Sequence, residues 1–221
     1  MKVVINPLYQ LIAQGEHQQQ DFKYCINDSR KIAKSLVAFA NTDGGRLLLG
    51  VKDNGKIAGV QSDEEYYMVE AAAKLYSKPP VPFEVQEWEA EGKTVLEIQI
   101  KSSINRPHYA ENDQKKWLAY IRRKDENILA NRVLLKAWEL EKNSQGLLFV
   151  YDESKKKLVK YLEENTQITL SKFVRIAQIS RFSAEDILAE FLNMGCISIS
   201  LDNDPVTYQL NSDFDLTQLY E

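Results

Sequence analysis

The sequence predicts an α+β fold in two parts, a medium unit built on a mixed sheet and a small, mostly helical unit behind it. Three observations carry this reading. Strand-like and helix-like segments interleave, and hairpin turns outnumber long crossovers, which points to an α+β or mixed α/β sandwich. The 221 residues exceed one average domain and suit one medium and one small core. Charge also changes character along the chain: residues 1–149 carry 21 Lys/Arg against 20 Asp/Glu, and residues 150–221 carry seven against twelve. The parts are expected at 1–145 and 150–221.

Taken in order, Pro7 opens a helix over 7–14 that Gly15 stops. Residues 18–24 read as a strand. Ser29 is the expected N-cap of a helix over 29–41, with Ile32, Leu36, Val37 and Ala40 on one face. Gly44-Gly45 then permits an abrupt reversal into 47–52, a strand apolar enough to be buried on both faces. Asn54-Gly55 signals a hairpin returning through 57–60. A helix over 63–77 is ended by Pro79, Pro80 and Pro82. Segments 83–88 and 94–100 are expected to pair across Glu91-Gly92. A strand at 117–122 and an amphipathic helix at 130–142 close the first part.

In the second part a helix covers 154–164 and a short strand covers 168–170. Ser171 and Ser183 are the expected caps of two further helices, the second stopped by Gly195, and strands follow at 197–201 and 206–210. Helix, strand, helix, helix and two-stranded wing is the order of a small winged helix-turn-helix unit.

Composition bounds the function. Hydrophobic residues make up 44% and charged residues 27%, as in ordinary globular chains. No apolar run reaches the roughly 18 residues of a membrane span, and the N-terminus lacks a signal-peptide pattern. Cys25 and Cys196 form no CxxC or Cys/His cluster, so neither a disulfide framework nor a zinc site is expected, and the expected location is cytoplasmic with no membrane partner. A net charge of −4 argues against a protein coated all over in nucleic acid. Locally, however, residues 101–136 hold nine Lys/Arg (Lys101, Arg106, Lys115, Lys116, Arg122, Arg123, Lys124, Arg132, Lys136) against four acids. That stripe is the electrostatic candidate for a polyanion surface, the other reading being a solvated face.

The segments 11–16, Asp21-Phe22-Lys23 and 38–55 carry a resemblance. With Arg106-Pro107-His108-Tyr109 and Tyr120-Ile121-Arg122, the region 8–132 resembles the Schlafen/AlbA-like domain family, long confused with a divergent ATPase ("divergent AAA") domain. The resemblance implies a mixed-sheet AlbA/Schlafen-like domain. It also implies a nucleic-acid-binding role, since bacterial members are labelled DNA-binding proteins or transcriptional regulators. DNA or RNA is then the expected partner, no resident cofactor is expected, and the protein is expected to bind rather than catalyse.

One branch of the family resembles a metal-dependent RNA-cleaving enzyme with three metal-binding carboxylates, which fall here on Glu16, Asp21 and Asp53, and Mg or Mn would serve only that alternative. Asp21 departs from the family's glutamate, and turn chemistry alone selects Asp53 before Asn-Gly. A nucleotide-binding alternative rests on Gly45 and Gly50, which have phosphate-loop spacing. Lys52 falls one place late, however, no Ser/Thr follows, and the run reads as strand. The expected phosphate contacts are Lys23, Arg46, Arg106, His108, Lys115, Lys116, Arg122 and Arg123. Trp117, Tyr109 and Tyr120 interleave as stacking candidates whose other reading is core packing.

The expected recognition helix, 183–194, holds three acids and no base, which repels a duplex backbone, with Lys172, Arg175 and Arg181 compensating in part. A protein contact, such as a homo-oligomer through this unit, or a scaffold role is therefore the further alternative.

Overall fold

The structure is a computed structural model and describes residues 6–142 and 149–219. It divides into two compact units, Met1–Ala130 and Asn131–Glu221. The expected break near 145–150 falls largely on residues outside the described ones, and the observed division comes earlier, ahead of helix α4 (Arg132–Lys142). The reason is packing: α4 buries Val133 and Ala137 in the second unit's core with Leu158, Phe173, Leu188 and Phe191.

The first unit opens with α1 (Pro7–Ala13), where Asn6 Oδ1 accepts from the Leu8 amide and Pro7 takes the first helical position. Then come β1 (Gln20–Lys23), α2 (Ser29–Asn41), β2 (Gly45–Leu49), α3 (Glu64–Lys74), β3 (Ser77–Lys78), β4 (Glu84–Ala90) and β5 (Lys93–Ile100). The main sheet has the order β1-β2-β5-β4, with β1 parallel to β2 and the other pairs antiparallel. It is therefore mixed, as expected.

Leu47 and Leu49 of β2 join a core with Ile32, Leu36 and Phe39 of α2 and Val69 of α3, while Leu48 joins Leu8, Phe22 and Val95 in a second core. Side chains alternate faces along a strand, so Leu47-Leu48-Leu49 fills both. The run between Gly45 and Gly50 is thus core strand and not a phosphate loop.

The hairpin expected from 47–52 to 57–60 is reduced to a single bridge between Val51 and Ile57. Strand β2 already has β1 on one edge and β5 on the other, which leaves no edge for a third partner. The Glu91-Gly92 turn is as expected: Ala90 pairs with Lys93, and both turn residues have positive φ (57° and 67°), as a type I′ turn requires.

The expected strand at 117–122 is two pieces, β7 (Trp117–Leu118) and β8 (Tyr120–Arg123), preceded by β6 (Tyr109–Glu111). Strand β6 bridges β3 and β7, and β8 pairs with β9 (Glu126–Leu129), a strand with no hairpin signal because Lys124-Asp125 replaces the usual Asn or Gly.

The second unit adds α5 (Glu153–Glu164), β10 (Ile168–Thr169), α6 (Leu170–Ala177), α7 (Arg181–Asn193), β11 (Ile197–Ser200), β12 (Thr207–Leu210) and a 3₁₀ turn at Leu216–Leu219. Its sheet has the order β10-β12-β11, all antiparallel. Three caps lie earlier than expected. Asp28 accepts from Arg30 N, Thr169 from Lys172 N and Ser180 from Ser183 N, so Ser29, Ser171 and Ser183 sit inside or at the edge of the first turn. Polar neighbours compete for the cap, and the one in extended conformation takes it. Among the described residues, no helix is long and apolar enough to cross a membrane.

Candidate nucleic-acid interface

The first unit contains a buried charge centre. Asp21 and Lys23, two apart on β1, project from the same face, and Lys23 Nζ lies 2.9 Å from Asp21 Oδ2. Arg122 of β8 enters beside them, 1% exposed, with Nη2 3.6 Å from Asp21 Oδ1. Its guanidinium also donates to the carbonyls of Gln20 (3.1 Å) and His17 (3.3 Å) and to Asn127 Oδ1 (3.1 Å), and it stands 5.1 Å from the centre of the Phe39 ring. Ser35 of α2 donates to Asp21 at 3.4 Å. Asp21 is thus compensated by two cations from within the protein.

Glu16 completes this centre. Its Oε1 accepts from the Phe22 amide at 2.9 Å, and the carboxyl shares a hydrogen bond with Asp21. Partial burial, and then that hydrogen bond, raise its pKa above the ordinary value, while the Phe22 amide and Lys23 pull it down. A raised carboxyl contributes stability that is complete below the ordinary value of 4.5 and is lost as pH rises through the raised one. Glu16→Gln carries no such loss, so its stability relative to the parent chain should improve as pH climbs from about 4.5 toward 7. Urea midpoints across that range check this, and a difference that stays flat with pH contradicts it.

Of the three carboxylates expected as metal ligands, Glu16 and Asp21 are brought together and Asp53 is not joined to them. Asp53 sits exposed in the turn after Val51, and among the described residues no three His, Cys, Asp or Glu form a group able to hold a metal ion. With Lys23 and Arg122 against Asp21, cationic side chains take up the charge a divalent ion would neutralise.

The basic stripe is dispersed by the fold. Arg122, expected to touch phosphate, is a core residue, and burial puts its guanidinium out of reach of any ligand. Arg123 pairs with Glu126 at 3.1 Å, Lys101 with Glu84 at 2.6 Å, and Arg46 with Glu97 at 3.5 Å. Arg132 and Lys136 belong to the second unit and pair with Glu185 there. His108 is buried, its ring bonded to Pro79 O (2.9 Å) and Ser103 Oγ (2.8 Å). Arg106 is half-buried and has a partner within the chain. Lys23 is committed to Asp21 and to Phe22 O.

What stays open is at the turns. Lys115 and Lys116 lie exposed in the turn between β6 and β7, a turn organised by Asn112, whose Oδ1 accepts from the amides of Gln114 and Lys116. Neither lysine has a side-chain ion pair among the described residues, and Trp117 beside them is 40% exposed. Lys124, exposed in the turn between β8 and β9, is similar. It has a positive φ of 58°, and its amide is held by Gln18 Oε1 at 2.7 Å. Tyr120 is half-buried beneath Lys34, 5.0 Å from ring to ammonium, and so packs where stacking was considered.

Sequence reasoning missed Asn41. Its side chain accepts from His108 N and donates to the carbonyls of His108 and Tyr120, tying α2 to two later segments. The available signal was an amide at the end of the apolar face of α2.

No curated protein matches the chain. Among solved structures, a Corynebacterium diphtheriae protein is similar with 21% identity and a TM-score of 0.43, over 60% of this chain and 28% of that one. The N-terminal domain of a RecG-related protein from Nitrosomonas europaea is similar with 20% identity and a TM-score of 0.41, over 57% of this chain and 89% of that one. The chain thus spans under a third of the first structure's length and most of the second's. Residues 16–131, more than half of the chain, match the family model described as Schlafen, AlbA_2. The chain belongs to the Schlafen AlbA_2 family, a family associated with nucleic-acid binding.

Proposed function

We propose that this chain is a DNA- or RNA-binding regulatory protein that grips phosphates through the exposed turn lysines of its first unit. The observation that carries this is that Lys115, Lys116 and Trp117 lie exposed together at one turn, and that Lys124 lies exposed on a later turn of the same unit. Lysine ammonium groups supply sequence-independent phosphate contact, and an exposed indole offers a face on which an unpaired base can stack.

We further read the second unit as a winged helix-turn-helix. Its helix, strand, helix, helix and hairpin order supports that, as does the central place of β12 between β10 and β11. The acids of α7 are spent internally: Glu185 on Arg132, Lys136 and Arg181, Asp186 on Lys136 at 2.6 Å, and Glu190 on Lys155 at 2.7 Å. A helix so compensated repels a duplex less than its sequence suggests.

The test is fluorescence anisotropy of duplex DNA, single-stranded DNA and structured RNA titrated with the full chain at several salt concentrations. Log affinity should fall linearly with log salt for at least one of them. Salt-insensitive binding, or none to any of the three, overturns the reading.

A further inference from the structure

A cleft of about 440 Å³ lies in the first unit between the start of α3 and the β4–β5 hairpin. Asp63, Tyr66 and Tyr67 line it from the helix and Glu87 from β4, with Val60 and Leu96 as its apolar part. Tyr66 and Tyr67 stand edge to face, their ring centroids 5.7 Å apart and their planes at 76°. Phe83 lies 6.4 Å from the Tyr66 ring and steadies it, while Tyr67 is 62% exposed.

The lining is chemically one-sided, with two carboxylates and no basic residue. Among the described residues neither carboxylate has a hydrogen bond or an ion pair, and Asp63 occupies the N-cap of α3 without making the cap bond. The acids around them are committed. Glu65 accepts from the amides of Gln61 and Ser62 at 3.1 Å, Glu89 accepts from Thr94 Oγ1 at 2.6 Å, and Glu84 meets Lys101 at 2.6 Å. The rings are equally unpartnered: Tyr24, Tyr76 and Tyr120 each carry a cation, and among the described residues Tyr66 and Tyr67 carry none.

Electron-rich ring faces and unneutralised carboxylates attract the same kind of group, a cation. The apolar part beside them suits the aliphatic stem that bears such a charge in a protein side chain. Small-molecule sites bury most of their ligand's surface, and this cleft is too open for that, since Asp63, Tyr66, Tyr67 and Glu87 are all exposed. A peptide lying across it supplies the missing cover. The same acids repel phosphate, so this surface and the turn lysines serve different partners.

We propose that this cleft docks an arginine-bearing basic segment of a partner protein. The planar guanidinium stacks on the Tyr67 ring and is drawn to Glu87 and Asp63, and its stem lies against Val60 and Leu96.

The experiment is fluorescence anisotropy of a short labelled Gly-Arg repeat peptide titrated with the full chain, without nucleic acid. A matched peptide carries citrulline, which keeps the shape of arginine and removes its charge. The arginine peptide should bind at least about tenfold more tightly. Tyr67→Ala and Glu87→Gln, at exposed positions, should fold and should each weaken binding by at least about fivefold, and Tyr67→Phe should retain it because the ring is kept. Glu84 projects from the opposite face of β4, so Glu84→Gln controls for net charge and should leave binding unchanged. No binding, equal binding of the citrulline peptide, equal losses in Glu84→Gln and Glu87→Gln, or no loss in Tyr67→Ala would each overturn the proposal. Tight binding of tetramethylammonium alone would assign the cleft to a free small cation, and a Glu87-dependent dimer of the peptide-free chain would assign it to a second copy. Either result also overturns it.

Discussion

Replacing Arg122 with leucine should destabilise the first unit by about 3–5 kcal/mol, the range for breaking a buried ion pair from one side. The substitution leaves Asp21 buried with Lys23 as its sole remaining cation, and it removes the donor from the carbonyls of Gln20 and His17 and from Asn127. Neighbouring Arg123 provides the control: its pair with Glu126 is at the surface, and Arg123→Gln should cost no more than about 1 kcal/mol. Urea denaturation followed by circular dichroism separates the two. Equal, small effects would show that Arg122 is not the keystone of the charge centre. The pair also shows why a charge-reversal test of nucleic-acid binding must avoid Arg122, since lost folding would pass for lost affinity.

The second large effect is expected at Gly50. Its φ is +89°, and a Cβ built there would lie 2.7 Å from the carbonyl carbon of Gly59 and 2.9 Å from both Gly59 Cα and Val60 N. These are backbone atoms fixed by hydrogen bonds from the amides of Ala58 and Gly59 to Gly50 O, at 2.7 and 2.9 Å, so they cannot give way cheaply. Left-handed strain of about 1–3 kcal/mol adds to an overpacking cost of similar size, so Gly50→Ala should lose about 2–6 kcal/mol. Gly92→Ala has a similar φ of +67° with nothing within 4 Å, and should show the conformational part alone. If the two variants melt alike, the close crossing of the chain at Gly50 and Gly59 does not constrain the fold.

These two sites mark where sequence reasoning reached and where it stopped. Helix α2, the doubly buried Leu47-Leu48-Leu49 and the Glu91-Gly92 turn were readable because periodicity and turn chemistry are local. The partners of Arg122 were not, since Asp21 and Gln20 lie about a hundred residues away, and Tyr120-Ile121-Arg122-Arg123 gives no hint that one arginine is core and the next surface. Strand alternation does not settle it either, because Ile121 and Arg122 are both buried. The apparent basic stripe arose the same way. Counting charges along the chain ignores that Lys101, Arg123, Arg132 and Lys136 each meet an acid supplied by another part of the fold or by a turn neighbour.

Glu16 and Asp21 were readable as a pair from the family resemblance. The two cations that neutralise Asp21 were not, because Arg122 had been assigned to the surface. The burial of Glu185 was hidden because two of its cationic partners, Arg132 and Lys136, come from a distant helix, and an acid on a helix reads as solvated until its burial is known.

The most direct measurement is the salt dependence of nucleic-acid affinity for the parent chain and for a Lys115→Gln, Lys116→Gln, Lys124→Gln triple variant, all three changes being at exposed turn positions. If these lysines hold phosphates, the slope of log affinity against log salt should become shallower by about 0.7–0.9 for each lysine removed, with binding weakened alike on every sequence. An unchanged slope in a folded triple variant would place the contacts elsewhere and contradict the account.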